Sequence, residues 1–278
     1  MKTEDIAYRT VEGQQLLGRL YRPAPRPGKP EVLVVEVHGG AWRTNDRTSN
    51  AAIHEHLAAN GCAVFALDFR LAPAHRYPAA LNDTNYGIRW IKANAPRLGL
   101  APRLVGGLGT SSGAQQLTTN ALRPDFTRYV THEPALAGYN ARVDFVIACW
   151  PILDPLARYR MAKARGLQNL VEAHHAFFAR EEEMAEANPQ LIVERGEAIS
   201  LPPMLVLQGT ADQNVEHERA DLFAERYRAA GGEIELVKFD GQPHTFIPND
   251  PRSAASRDAL ERMTRFIRSR LQKESVHG

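Results

Sequence analysis

The sequence predicts an α/β fold, a mostly parallel sheet covered by helices on both faces, and three observations predict it. Short apolar runs rich in Val, Ile, Leu or Phe recur along the chain, most ending at Gly, Asp or Pro. Amphipathic stretches of helical period alternate with them, which is the pattern of strands joined by crossover helices. No internal repeat, low-complexity tract or linker divides the 278 residues, enough for a single domain with a sizeable core.

Taken in order, GQQLLGRLYRP (residues 13–23) is a polar, alternating strand that suits a sheet edge. EVLVVEVHGG (31–40) is the first buried strand, and NDRTSNAAIHEHLAANG (45–61) is a helix that stops at Gly61. GCAVFALDFR (61–70) is the next strand and YPAALNDTNYGIRWIKANA (77–95) a clear helix. LVGGLGT (104–110) runs through a tight turn into a helix beginning SGAQQLTTNAL (112–122). VDFVIACWPI (143–152), PPMLVLQGT (202–210) and EIELVKFDG (233–241) complete the strands. EHERADLFAERYRAAGG (216–232) is a helix between the last two. In the final helix, RDALERMTRFIRSRLQK, Leu260, Met263, Ile267 and Leu271 form one stripe, with arginines on a solvated face opposite. Residues 154–200 break the rhythm, with helix formers and no convincing strand, so they predict a helical cap or lid inserted between two strands.

Composition narrows the function classes. A hydrophobic fraction of 44% and a charged fraction of 24% are those of a soluble globular protein, and a net charge of +2 argues against nucleic acid or an anionic membrane as partner. The opening MKTEDIAYRT has no apolar core and does not read as a secretory signal, and no apolar run approaches the roughly 20 residues of a membrane span. Cys62 and Cys149 lie in apolar strands and are expected as buried thiols, not a disulfide. A cytoplasmic location is the expectation.

Gly109-Thr110-Ser111-Ser112-Gly113 matches G-x-S-x-G between a strand and a helix, where the central side chain is lifted out of the sheet. The pentapeptide alone is weak, because any Gly/Ser-rich turn produces it. A nucleophilic serine also needs a base, an orienting carboxylate and oxyanion donors. Asp212 follows the strand PPMLVLQGT, and His244, in FDGQPHTF, follows the next strand. His38-Gly39-Gly40-Ala41-Trp42 follows another, with His38 read as structural. The expected oxyanion segment is Gly39, Gly40 and Ala41, with Gly40 and Ala41 as leading donors and Gly39 allowing the bend. Ser112 would add its backbone N–H, its hydroxyl not being needed. The order Ser111, Asp212, His244 and the position of each at a strand's carboxyl end make the set far more specific than the turn. His54 and His56 have no ligand-like companions, so no metal is expected, and no organic cofactor is needed.

With those residues in hand, the chain resembles the α/β-hydrolase superfamily, in its hormone-sensitive-lipase-like and kynurenine-formamidase-like esterase branches, over about residues 30–250. The resemblance rests on HGGAW, DFRLAPAHRYPAALNDTNYGIRWI, GTSSGA, GTADQNV and DGQPHTF. It implies an α/β-hydrolase fold. The departures are HGGAW where the lipase-like branch has HGGG, Thr110 where an acid is usual, and Ser112 where alanine is usual. Three functions stay open: a carboxylesterase for small or medium acyl esters, an amidase, formamidase or carbamate hydrolase, and a small-molecule receptor on the same fold. Trp42, Thr110, Phe177, Phe178 and Met184 are candidate substrate contacts, although the two phenylalanines and Met184 equally suit packing of the insertion against the body. Glu36, inside a strand that should be apolar on both faces, is either in a buried ion pair or a contact for a substrate amine. The last helix and the edge strand are candidate homo-oligomer surfaces.

Overall fold

The computed structural model describes residues 2–24 and 31–277. Eight strands form one sheet: β1 (Lys2–Val11), β2 (Gln14–Arg22), β3 (Val32–Val37), β4 (Ala63–Leu67), β5 (Leu104–Thr110), β6 (Val146–Cys149), β7 (Met204–Gly209) and β8 (Ile234–Phe239). Their order is β1-β2-β4-β3-β5-β6-β7-β8. β2 runs antiparallel to β1 and β4, and the strands from β4 to β8 pair in parallel.

The apolar strands are buried on both faces because helices cover both. Leu33, Val35 and Val37 of β3 join one core cluster, with Leu81 and Ile88 of α2 (Ala79–Asn94), Leu117 of α3 (Ser112–Leu122) and Phe223 of a helix over Glu218–Ala229. Val32 and Val34, one residue out of phase, join a second cluster with Ile53 and Leu57 of α1 (Ala51–Ala59) and with the terminal helix (Ala254–His277). That helix buries Leu260, Met263 and Ile267 and packs the partly buried Leu271 on the same side, while Arg265 and Arg268 are exposed. Each buried aliphatic side chain contributes roughly 1.5–3 kcal/mol, so the two layers hold the sheet more than strand propensity does.

The expectation that residues 13–23 form the sheet edge is corrected: β2 is the second strand and β1 is the edge. β1 escapes detection because its sequence, KTEDIAYRTV, is charged and only Tyr8 is buried. It is held as a hairpin whose two-residue turn, Glu12-Gly13, has positive φ at both positions (51° and 78°).

Between β6 and β7 lie four helices, α4 (Pro155–Ala164), α5 (Gln168–Phe177), α6 (Glu181–Glu186) and α7 (Pro189–Glu194). α7 packs on α3 and on α8 (Glu218–Ala229), and α4 packs on α5 and α6. The chain ends with α9 (Phe246–Asn249) and α10 (Ala254–His277). No described helix is long and apolar enough to cross a membrane. Cys62 and Cys149 are both buried thiols.

Candidate active site

Ser111 stands where β5 turns into α3, with φ 49° and ψ −116°, a conformation a residue with a Cβ rarely adopts. The flanking glycines make the turn possible. A Cβ on Gly113 would lie 2.1 Å from the Val37 carbonyl oxygen, and one on Gly109 would lie 2.6 Å from Ala114 Cα. The Ser111 amide donates to the Cys149 carbonyl (2.9 Å), which ties the elbow to β6.

The three residues expected from strand ends meet here. His244 Nε2 lies 2.9 Å from Ser111 Oγ, and His244 Nδ1 lies 2.7 Å from Asp212 Oδ2. A carboxylate can only accept, so Nδ1 carries the proton and Nε2 is left to accept from the serine hydroxyl. Asp212 is saturated: Oδ1 accepts from the amides of Asn214 (2.7 Å) and Val215 (2.9 Å), and Oδ2 also accepts from Gln208 Nε2 (3.0 Å). Burial opposes its ionisation, but the interaction with His244, with the bonds from the Val215 amide and Gln208, outweighs it and holds its pKa below the usual carboxylate value.

The glycine loop after β3 lies beside the elbow. Gly40, Ala41 and Trp42 all have positive φ (107°, 51° and 61°), so the loop is strained and depends on its anchors. The amides of Gly40, Ala41 and Ser112 donate to no acceptor among the described residues. Gly39 is a correction to the expected oxyanion set: its amide donates to Thr110 Oγ1 (2.8 Å) and is not available to a substrate oxygen. His38 is buried, donates from Nδ1 to the Gly39 carbonyl (2.7 Å) and stacks on Phe69, and burial lowers its pKa, all of which suit a structural role.

A pocket of about 680 Å³ opens over Ser111 and His244 and is lined by Gly40, Thr110, Asn50, Trp150, Arg158 and Asn214 among others. Four of the expected substrate contacts are not in it. Trp42 is 0% exposed, its ring stacked on Phe177 at 5.1 Å and its indole donating to Gln115 Oε1. Phe177, Phe178 and Met184 are likewise buried in the core between the insertion and the body. Trp42 is corrected from pocket wall to packing, and of the two readings open for Phe177, Phe178 and Met184 the pocket wall gives way to packing, because the α5 end turns its aromatics inward against Trp42. Thr110 does line the pocket, but its hydroxyl accepts from Gly39 N and from Asn50 Nδ2 (3.1 Å). Among the described residues no three His, Cys, Asp or Glu side chains are grouped to hold a metal ion.

Sequence reasoning missed Asn50, Arg158 and Asn214. Asn50 occupies the N-cap of α1, yet its side chain makes no capping bond and donates instead to Thr110 and to Glu36 Oε1 (2.8 Å). A composition signal for an N-cap was present, but nothing local marks a side chain diverted into the core. Glu36 itself is 0% exposed and has His54 Nε2 3.1 Å from Oε2, so it faces a buried partner and not the pocket. The substrate-amine alternative for Glu36 therefore falls. Ser112 Oγ accepts from the Trp42 amide (3.2 Å), so that hydroxyl, not needed for the expected oxyanion role, anchors the far end of the glycine loop.

Comparison with known proteins bears on this geometry. The family model described as BD-FAE matches residues 19–227. Esterase LipC of Mycobacterium tuberculosis is 28% identical over 231 residues, covering 82% of this chain and 56% of LipC. An arylesterase of Saccharolobus solfataricus is 26% identical over 261 residues, 91% of this chain and 79% of that protein. A probable isoprenylcysteine alpha-carbonyl methylesterase of Oryza sativa matches 90% of this chain, which spans 60% of its length. Among solved structures, native Thermogutta terrifontis esterase 2 superposes with a TM-score of 0.78 at 25% identity, covering 95% of this chain and 91% of its own. The same esterase has been solved phosphorylated by paraoxon.

Proposed function

The chain belongs to the BD-FAE family and has the α/β-hydrolase fold, and from that footing we propose that it is a serine carboxylesterase for small or medium esters. The observation that carries the proposal is the unbroken relay from Ser111 Oγ through His244 to Asp212, with hydrogen bonds of 2.9 and 2.7 Å. The esterase names of relatives that cover most of this chain support the same chemistry.

As Ser111 Oγ attacks the ester carbonyl, its proton passes to His244 Nε2. Asp212, ionised and saturated with donors, holds the Nδ1–H tautomer and stabilises the imidazolium. The carbonyl oxygen gains negative charge among the amides of Gly40, Ala41 and Ser112, which have no other partner among the described residues. Collapse expels the alcohol, protonated by His244, and leaves an acyl group on Ser111. Water, deprotonated by His244, then releases the acid. Helices α4 to α7 act as a cap, a role supported by Arg158, Asn169, Leu170 and Ala173 lining the pocket from that side.

The test combines covalent labelling with a substrate panel. A fluorophosphonate is expected to label wild type and not Ser111→Ala, and Ser111→Ala is expected to lose at least about a thousandfold in kcat. Near-full turnover by Ser111→Ala would refute the assignment. p-Nitrophenyl esters compared with matched anilides and formanilides separate esterase from amidase or formamidase activity, and no labelling with no turnover would leave the receptor alternative.

A further inference from the structure

The pocket in front of Ser111 carries cationic donors that ester hydrolysis does not require. Its lining includes Arg43, on the exposed rim, and Arg158 of α4, and includes no Asp or Glu. Arg158 is only 5% exposed. Its guanidinium is engaged along one edge: Nε donates to the Asn214 carbonyl (2.9 Å), and Nη2 lies 3.4 Å from Asn214 Oδ1. Nη1 is buried and meets no acceptor among the described residues.

A buried cation of this kind normally has a counter-ion, because removing a charge from water is costly unless it is paired. Asp212 is the carboxylate whose field favours Arg158. Both Asp212 oxygens are already occupied by His244, Gln208 and the Asn214 and Val215 amides. His174 offers no compensation: burial, then the charge of Arg158, keep it neutral, its pKa pushed down to about 3. Burial brings the Arg158 pKa to about 10, so the group is still charged at neutral pH. Holding the Asn214 loop accounts for Nε and Nη2 and leaves Nη1 unexplained. A carboxylate oxygen is the complement of the one guanidinium nitrogen left unpaired, Nη1.

We propose that Arg158 recognises a carboxylate on the substrate, so that the preferred substrates are hemi-esters, esters whose acyl or alcohol part also bears a free carboxylate. This inference rests on the esterase reading of Ser111 and names its substrate class. Arg43 at the rim would draw the same anion toward the pocket.

The test compares monoethyl esters of glutaric, adipic and pimelic acids with ethyl esters of the unsubstituted acids of equal chain length. Acid release is followed in a pH-stat with the full chain, and fluorophosphonate labelling is run in parallel. At the best chain length the hemi-ester is expected to exceed its neutral partner in kcat/KM by roughly ten- to a hundredfold, the range of one charge-assisted hydrogen bond. Arg158→Met is expected to abolish that ratio, mainly through KM, and Arg158→Lys to retain part of it. A loss of activity by Arg158→Met equal for both substrates would mean that Arg158 only positions the Asn214 loop, and would overturn the proposal. Equal wild-type turnover of hemi-esters and neutral esters at every length would overturn it too, while leaving the esterase reading intact. No labelling and no hydrolysis of either series would remove the esterase reading, and the proposal with it. If Arg158→Met does not fold, the wild-type ratio decides, together with inhibition of neutral-ester hydrolysis by the free dicarboxylates. Inhibition no stronger than that by the corresponding diamides would count against Arg158.

Discussion

Replacing Thr110 with valine keeps the shape of the side chain and deletes only Oγ1, the atom that holds the glycine loop against the elbow. Oγ1 accepts from the buried Gly39 amide at 2.8 Å and from Asn50 Nδ2 at 3.1 Å. Without it the Gly39 N–H has no partner, at a cost of about 1–3 kcal/mol, whereas Asn50 keeps its bond to Glu36 and loses less. Together these amount to about 2–4 kcal/mol, which for a chain of this size lowers the melting temperature by roughly 3–7 °C. The catalytic effect follows from position. Gly40 and Ala41, the oxyanion donors of the proposed mechanism, come directly after Gly39, and a misplaced oxyanion donor costs up to about 10²–10³ in kcat. Partial displacement of the loop is therefore expected to lower kcat by about 10–10² with little change in KM, because the lost contacts form only in the transition state. The assay is p-nitrophenyl ester turnover beside thermal melts by circular dichroism, with Thr110→Ser as the variant expected to restore both. A Thr110→Val enzyme with kcat within about twofold of wild type would refute the idea that Thr110 sets the loop.

Ser112→Ala removes the acceptor for the Trp42 amide and is expected to cost about 1–2 kcal/mol in melts, with less than a tenfold fall in kcat, far milder than Ser111→Ala. Glu36→Gln retains an acceptor for Asn50, so the ranking of substrates is expected to stay unchanged, whereas Glu36→Ala takes one of the two acceptors from Asn50 and the buried neighbour from His54 and is expected to lower the melting temperature by several degrees; a changed substrate ranking in Glu36→Gln would return that residue to the pocket. His174 is buried and neutral, with Nδ1 donating to the Leu170 carbonyl and its pKa pushed down to about 3. Below the unfolded value of about 6.5 the unfolded chain binds a proton that the folded chain refuses, so stability falls by up to about 1.4 kcal/mol per pH unit as pH drops toward 3. His174→Phe is expected to flatten that slope in denaturant melts between pH 6.5 and 4; an unchanged slope would mean that His174 does not contribute to it.

What could be read from the sequence was set by local patterns. The parallel strands are apolar over their whole length, because burial on two faces leaves no room for polar alternation. β1 was invisible for the converse reason: an edge strand with one buried side chain, Tyr8, has almost no apolar pattern to read. Ser111, Asp212 and His244 were legible because each follows a strand end, and the carboxyl ends of parallel strands all open on the same side of a sheet. Trp42 was misplaced, and Phe177, Phe178 and Met184 were left between two readings, because a large apolar side chain beside a site and one behind it have the same local sequence.

The sequence by itself determined the parallel, helix-covered part of the sheet, the three residues of the relay and their order, since these depend on strand ends and turns a few residues long. Only the tertiary structure decided where the side chains between them are used. It gave the Gly39 amide to Thr110, the Ser112 hydroxyl to Trp42 and the Asn50 side chain to Thr110 and Glu36. It also buried Arg158 Nη1 without an acceptor, in a residue that lines the pocket. Those assignments join residues as far as 71 positions apart. A hydrogen bond depends on a few ångströms of separation and on direction, and over such a span both are fixed by packing, not by local pattern.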